Sequence, residues 1–256
     1  MFPARVLSAL VLLSSAAFAQ SSSTSPLTAP TTLPIVFTQS VAADHAKPGD
    51  VVQAKTIQKV ELPGGEIIPS GAHVIGHVIA ASGFTYDKTP YAHQQASALS
   101  VHFDTIQSKD RSFPLSVTVR AIASPIASWD AKKPQASDMD PLGTLTQIGG
   151  DQLVPSQSEV RNIDGDVVAY NKHGGVFAHL IASGDCDGSD VEVSVALYSA
   201  SACGAYGFGD VSLNERGTSS NPSTLTLVSS HGSPKLWKST TALLEVLPTQ
   251  QASIER

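Results

Sequence analysis

The densest set of potential ligand atoms in this chain is Asp185-Cys186-Asp187-Gly188-Ser189-Asp190. Asp185, Asp187 and Asp190 place three carboxylates in one short turn, and hard oxygen ligands of this kind suit Ca²⁺. Asn162-Ile163-Asp164-Gly165-Asp166 has a similar composition. Neither segment has the twelve-residue loop spacing or the closing Glu of a helix-loop-helix calcium site, and Asp-Gly pairs are ordinary turn formers. Calcium at Asp185, Asp187 and Asp190 is therefore a weak candidate beside a plain turn, and no other cofactor is expected.

The chain has eight histidines. His73 and His77 are four apart in a segment that reads as a strand. There they share a face about 13 Å apart, at roughly 3.3 Å per residue, which is too far for both to hold one ion. His173 and His179 have looser spacing, but no HExxH or Cys/His zinc pattern accompanies them. Nucleophilic hydrolysis finds no support either, because neither Gly-x-Ser-x-Gly nor Ser-x-x-Lys occurs with its companion motifs. A pair of catalytic carboxylates can be drawn from the 22 acids of the chain, but their separation is not written in a sequence. Catalytic residues are not assigned, and a secreted hydrolase stays as an alternative.

Ala202-Cys203-Gly204-Ala205-Tyr206-Gly207-Phe208-Gly209-Asp210 alternates glycines with aromatics. Tyr206 and Phe208 on an exposed loop would stack on a sugar or seat a partner. The competing reading has both rings folding back as a cap on the core. Tyr86, Tyr91 and Trp129 also fall in loop-like sequence and admit both readings.

These segments need a scaffold and a compartment. Residues 1–19, MFPARVLSALVLLSSAAFA, combine Arg5, an apolar run and the small-x-small ending Ala17-Phe18-Ala19. That is the layout of a signal peptide cleaved before Gln20. The apolar run is about 13 residues, short of the roughly 20 that span a bilayer. The expected address is export: periplasmic, associated with the cell envelope, or secreted. The only two cysteines, Cys186 and Cys203, would then meet an oxidising environment in which a pair tends to join. Two buried thiols are the alternative.

The net charge is −6, and no Lys/Arg run exceeds Lys132-Lys133, which argues against nucleic acid. Charged residues make up only 15% of the chain, below the roughly 25% usual in soluble domains, while apolar residues reach 41%. Hydroxyl-rich, β-branched sequence of this kind favours a β-protein. No later segment has the length of apolar sequence needed for a membrane span.

Residues 20–32 are Ser/Thr/Pro-rich and read as a disordered spacer. Residues 33–124 read as consecutive strands between turns, with Lys47-Pro48-Gly49-Asp50, Pro63-Gly64-Gly65, Pro69-Ser70-Gly71 and Ser108-Lys109-Asp110-Arg111 as the turns. Residues 83–96 form a loop. Residues 113–123 carry the cleanest period of two. Phe113, Leu115, Val117, Val119 and Ala121 fall on one face, and Ser116, Thr118 and Arg120 on the other. Residues 125–190 form a loop-rich elaboration, with 176–182 readable as helix or strand. Residues 191–249 supply further strands at 191–198, 224–229 and 242–247 that complete the same core, and 250–256 are a tail. The predicted fold class is mainly β, a β-barrel or β-sandwich with long loops and little helix. Two domains split near residue 130 is the alternative organisation.

One stretch carries a resemblance. Pro48-Gly49, Gly64-Gly65, Ile68-Pro69-Ser70-Gly71, Gly76 and Arg111-Ser112-Phe113-Pro114-Leu115 are similar to the turn-strand pattern of the β-domain of TrbI-type conjugal-transfer proteins. Those proteins belong to the outer-membrane core of type IV secretion channels. The resemblance covers about residues 48–120 and extends to uncharacterised secreted bacterial β-proteins that share the unit. It implies a barrel-like fold and an envelope location. It does not imply a channel role, because TrbI-type proteins carry an uncleaved membrane helix, a longer Pro-rich segment and a helical insertion that have no counterpart here. The function expected from residues and resemblance together is that of an exported, non-catalytic envelope or secreted β-protein. Its role is binding or assembly, and its partner an envelope protein or a glycan. A carbohydrate- or ligand-binding module using Tyr206 and Phe208 is the second reading.

Overall fold

The structure, a computed structural model, describes residues 27–62, 65–109, 111–132, 145–154, 158–172 and 175–248. The leader at 1–19, spacer residues 20–26, His173 and the tail at 250–256 lie outside them. In chain order the elements are β1 (Thr32–Phe37), β2 (Val41–Ala42), β3 (Val51–Thr56), β4 (Val60–Glu61), β5 (Ile67–Ile68), β6 (His73–Ser82) and β7 (Ser97–Ser108). Next come β8 (Arg111–Pro114), β9 (Val117–Ala123), the helix α1 (Pro125–Asp130), β10 (Leu145–Thr146), β11 (Gln152–Leu153), β12 (Glu159–Arg161) and β13 (Val167–Lys172). The remainder are β14 (Gly175–His179), β15 (Glu192–Ser194), β16 (Gly204–Tyr206), β17 (Ser212–Glu215), β18 (Thr224–Ser229), β19 (Lys235–Leu236) and β20 (Thr241–Val246). The mainly β class expected from the composition is the class observed.

The main sheet runs β16-β9-β20-β1-β3-β6-β7-β18-β17, with β8 paired to β7, and curls into a nearly closed barrel. Its pairings are antiparallel apart from the parallel pair β16 and β9. Backbone bonds also join β9 to the segment between β17 and β18, near the two ends of the sheet. Val119 N–H donates to Arg216 O, and Ser223 N–H donates to Val117 O at 2.7 Å. Period-two alternation fills the inside: Val52, Ala54, Val74, Val78, Val101, Phe103, Leu225 and Leu227 are all buried in one cluster. The Phe37 and Phe103 rings meet there at 6.2 Å. Leu27, the sole large apolar residue of the expected spacer, is buried in the same cluster, so chain order starts before residue 33.

A second, six-stranded sheet, β10-β11-β12-β13-β14-β15, packs against the outside of β9 and β20. Its core joins Val160, Ala169, Val176 and Val193 to Ala121, Ala123 and Leu243 of the barrel. The expected loop-rich stretch thus contains a small sheet. Its strands are only two to six residues long and show little alternation, so they leave almost no periodic signal. Of residues 176–182, readable as either element, 176–179 lie in the strand β14 and 180–182 continue outside any element. The strand expected at 191–198 is cut to Glu192–Ser194 and joins the small sheet, because Ala196 takes a positive φ of 51° and breaks the extended run. Ser124-Pro125 begins a helix inside the expected loop. Ser124 Oγ accepts from Ala127 N–H, and Pro125 supplies the preset φ of a first turn. No helix of the described residues is long and apolar enough to cross a membrane.

The main sheet has register shifts at four places among the described residues, and two of them carry polar side chains of interest. Between β6 and β7, Gly76 faces Phe103 while Ile75 faces Thr105, leaving Asp104 as the extra residue. Between β9 and β20, Leu243 faces Ala121 and Leu244 faces Val119, leaving Arg120 as the extra residue. Such bulges redirect a side chain. The second one also turns Ala121 away from the barrel interior, where strict alternation places it, and into the core of the small sheet. Gly76 permits the close approach of β6 and β7, since a Cβ there would lie 2.2 Å from His102 O. Gly76→Ala is expected to lower stability by about 1–3 kcal/mol, the usual range for forced overpacking, as read from urea unfolding.

Candidate functional site: an inter-sheet groove and a disulfide corner

The small sheet is held to the barrel at two places. On one side Gln58 lays its amide against β14: Nε2 donates to Val176 O and Oε1 accepts from Val176 N–H, each at 3.4 Å. Gly175 leaves room for this, because a Cβ there would come within 3.1 Å of the Gln58 amide. On the other side Thr32 Oγ1 donates to Ser194 O. Inside the junction a buried hydroxyl chain links the layers, with Thr241 Oγ1 at 2.8 Å from both Tyr198 Oη and Ser128 Oγ. Burial pushes the Tyr198 hydroxyl far above its ordinary value, so it stays protonated and serves only as a hydrogen-bonding group.

Beside the Gln58 bridge the two layers diverge and leave an open groove of about 680 Å³. That volume falls within the roughly 300–1,000 Å³ of small-ligand sites. Val36, Ile57, Leu153, Val176 and Leu197 give it apolar walls, and Lys55, Lys132 and Lys172 also line it. Lys172 Nζ is held at 2.6 Å by Glu192 Oε1. On a chain of net charge −6, Lys55 and Lys132, beside the Glu192-paired Lys172, are a local reversal of sign. Field lines focused by low-dielectric walls strengthen that reversal for an incoming acidic group.

The second feature is a corner where the loop at 181–187 crosses the barrel wall. Cys186 and Cys203 form the disulfide that the sequence leads one to expect, with Cα atoms 5.9 Å apart. Ser183 and Cys186 exchange backbone bonds of 2.9 and 3.1 Å, which makes Asp185 part of a tight turn. Beneath the loop lies Arg120, the bulged residue of β9, with its side chain only 1% exposed. Its guanidinium donates to Asp187 O, to Ile181 O, and to Ala200 O at 3.4 Å. Glu245 Oε2 lies 3.7 Å away, while Arg120 Nε has no partner. Ala200 N–H in turn donates to Asp151 Oδ2 at 3.0 Å. Above the bridge, Arg216 Nη1 approaches the sulfurs of Cys186 and Cys203 at 2.9 and 3.2 Å.

Burial pushes the Glu245 carboxyl above its ordinary value, with the neighbouring Arg120 charge pulling it back. Burial likewise lowers Arg120, against the attraction of Glu245. A guanidinium stays charged through such a shift. Burial also raises Asp151, opposed by the Ala200 N–H. The corner is therefore a clamp: one cation gathers three carbonyls and a carboxylate and fixes the loop.

The candidate residues read from the sequence fall as follows. Asp185, Asp187 and Asp190 are all exposed. Among the described residues no group of three or more His, Cys, Asp or Glu side chains is arranged to hold a metal ion. The carbonyl of Asp187 is used by Arg120, and that of Asp185 by Arg216 at 3.4 Å. Phe208 is 7% exposed, belongs to the barrel core and packs 5.6 Å from the Trp237 ring, so it offers no open face for stacking. Tyr206 is half-buried and its hydroxyl accepts from Cys203 N–H at 3.0 Å. His73 and His77 share the outer face of β6, and His179 lies exposed on β14. Sequence reasoning missed the groove, whose walls come from segments distant in the chain. It also missed the burial of Arg120, which sits with Ser116 and Thr118 on a face that reads as solvent-exposed.

Arg120→Met is expected to cost about 3–5 kcal/mol in urea unfolding, because it leaves Glu245 and three carbonyls without their cation. The loss depends on pH with a definite sign. A carboxyl raised in the folded state favours folding below its unfolded value, and that contribution disappears as pH rises through the folded value. Without Arg120 the Glu245 value rises further, so the deficit of the variant should grow above the ordinary Glu value of about 4.3 and shrink below it. Separately, the Cys186→Ser/Cys203→Ser variant is expected to lose about 3 kcal/mol by the same measurement, the loop-closure contribution for a bridge of this span.

Comparison with known protein families, with curated proteins and with solved structures gives no match for this chain.

Proposed function

We propose that this chain is an exported, non-catalytic binding or assembly component, working in the cell envelope or outside it. Its seat for a partner is the groove between the barrel and the small sheet. The groove is the observation that carries this reading: it is open, mainly apolar in its walls, about 680 Å³ in volume, and lined by Lys55, Lys132 and Lys172. An extended segment with apolar side chains and acidic groups matches both its walls and its charge. The disulfide supports work in an oxidising compartment. The leader at residues 1–19 supports the same address, and the resemblance of residues 48–120 to TrbI-type β-domains supports an envelope setting without a channel role. A binding face built on Tyr206 and Phe208 has less support, because the Phe208 ring is occupied within the core.

Site-directed photocrosslinking in the native host tests this reading. A photoreactive residue at Ser70, in the groove, is expected to capture a discrete partner from the envelope fraction, while one at Val51, on the exposed barrel wall, does not. Lys55→Glu/Lys132→Glu should reduce capture about fivefold or more, at roughly 0.5–1 kcal/mol per exposed charge. Equal capture from both positions, or retention of the chain in the cytoplasm with its leader intact, overturns the proposal.

A further inference from the structure

The outer wall of the barrel carries a polar cluster that lines neither the groove nor the disulfide corner. His77 on β6 and His102 on β7 are register partners across the ladder. Their rings lie 5.6 Å apart, centroid to centroid. Asp104, the extra residue of its bulge, places Oδ2 at 2.9 Å from His77 Nδ1 and Oδ1 at 4.0 Å from His102 Nε2. Thr224 Oγ1 lies 3.4 Å from His102 Nδ1 on the far side. The three side chains are partly open to solvent, at 39% for His77, 32% for His102 and 37% for Asp104.

The ring separation is close to that of two imidazoles sharing one ion. With metal–nitrogen bonds of about 2.0–2.1 Å at a tetrahedral angle, two ligating imidazoles have centroids roughly 5 Å apart. The observed separation is within the reach of a small ring rotation. Asp104 has the second-shell role common at such sites: it accepts from His77 Nδ1–H, fixes that tautomer, and leaves the Nε2 lone pair for a ligand bond. The backbone is built for the pairing, because Gly76 lets β6 and β7 approach at the position beside His77.

We propose that His77 and His102 form an open surface site for a late first-row divalent ion of the imidazole-binding kind, Cu²⁺ or Zn²⁺, with Asp104 as a positioning residue. Two ring nitrogens come from the protein, and the remaining positions fall to water or an incoming group. Such an arrangement is compatible with the absence of any closed three-residue set among the described residues. Imidazole donors rank Cu²⁺ above Zn²⁺ in affinity.

Titration of the full, metal-free chain with Cu²⁺ at neutral pH tests the proposal. One equivalent is expected to bind, with electron paramagnetic resonance showing nitrogen coupling from two imidazoles. Substoichiometric Cu²⁺ should broaden the His77 and His102 ring signals in NMR before those of the other histidines, a readout that needs no variant. His77→Asn and His102→Asn should each abolish the equivalent. Asp104→Asn should weaken it about tenfold, the scale of a lost outer-shell carboxylate, and His73→Asn should leave it unchanged. Zn²⁺ should displace Cu²⁺ only in excess. No Cu²⁺ equivalent, one that persists in His77→Asn/His102→Asn, or broadening led by other histidines overturns the assignment.

Discussion

One buried cation organises the junction between the two sheets. The two terminal nitrogens of the Arg120 fork collect carbonyls from residues 181, 187 and 200. Those carbonyls belong to the segments on either side of the disulfide, so the bridge and the guanidinium constrain the same loop by independent means. The bridge restricts the unfolded chain, whereas the guanidinium acts only in the folded one. Burying a charge is costly unless it is paired and hydrogen-bonded, and Glu245 supplies the counter-charge from the neighbouring strand β20. The groove depends on this clamp indirectly. The packing of the small sheet on β9 and β20, which sets the spacing of the groove walls, is anchored at its other end by Arg120.

The two polar clusters of the barrel share one origin. Arg120 and Asp104 are each the unpaired residue of a bulge. In a regular strand each would point wherever its parity dictated. That is also the outer face on which each is found, and the bulge leaves the residue without a register partner, next to a polar target. In one case the target is a loop to be clamped, in the other an imidazole to be oriented. Both of these polar side chains thus sit where the ladder is interrupted.

The parts legible in the sequence were those with a strict local signal. Phe113, Leu115, Val117 and Val119 alternate in the sequence and are buried together. The Lys47–Asp50 turn closes with Asp50 Oδ2 accepting from Lys47 N–H at 2.8 Å, as its Pro-Gly-Asp composition suggests. The pairing of Cys186 with Cys203 is expected from the export address that the sequence suggests. What stayed hidden depends on long-range pairing. His77 and His102 are 25 positions apart, and only the β6–β7 register brings them opposite one another. Arg120 sits among hydroxyl residues on a face that alternation assigns to water, and only a loop 60 residues later covers it. The groove belongs to no single segment, since one wall comes from β1, β3 and the turn at 69–71, and the other from the small sheet. A positive φ at Ala196 shortened a strand whose side chains alternate well. Alternation reports which residues prefer burial, not where the backbone stops being extended.

The position of β20 has a consequence for how the molecule is made. This strand lies within the main sheet, between β1 and β9, although its residues come near the end of the chain. Until residues 241–246 emerge, the first strand of the protein and the ninth each expose a row of unpaired amides and carbonyls, and the barrel wall has a slot in it. Before β20 is in place the barrel cannot close between β1 and β9. Closure depends on contacts of nearly maximal sequence separation, which makes a slow, late and all-at-once transition the physical expectation for this topology.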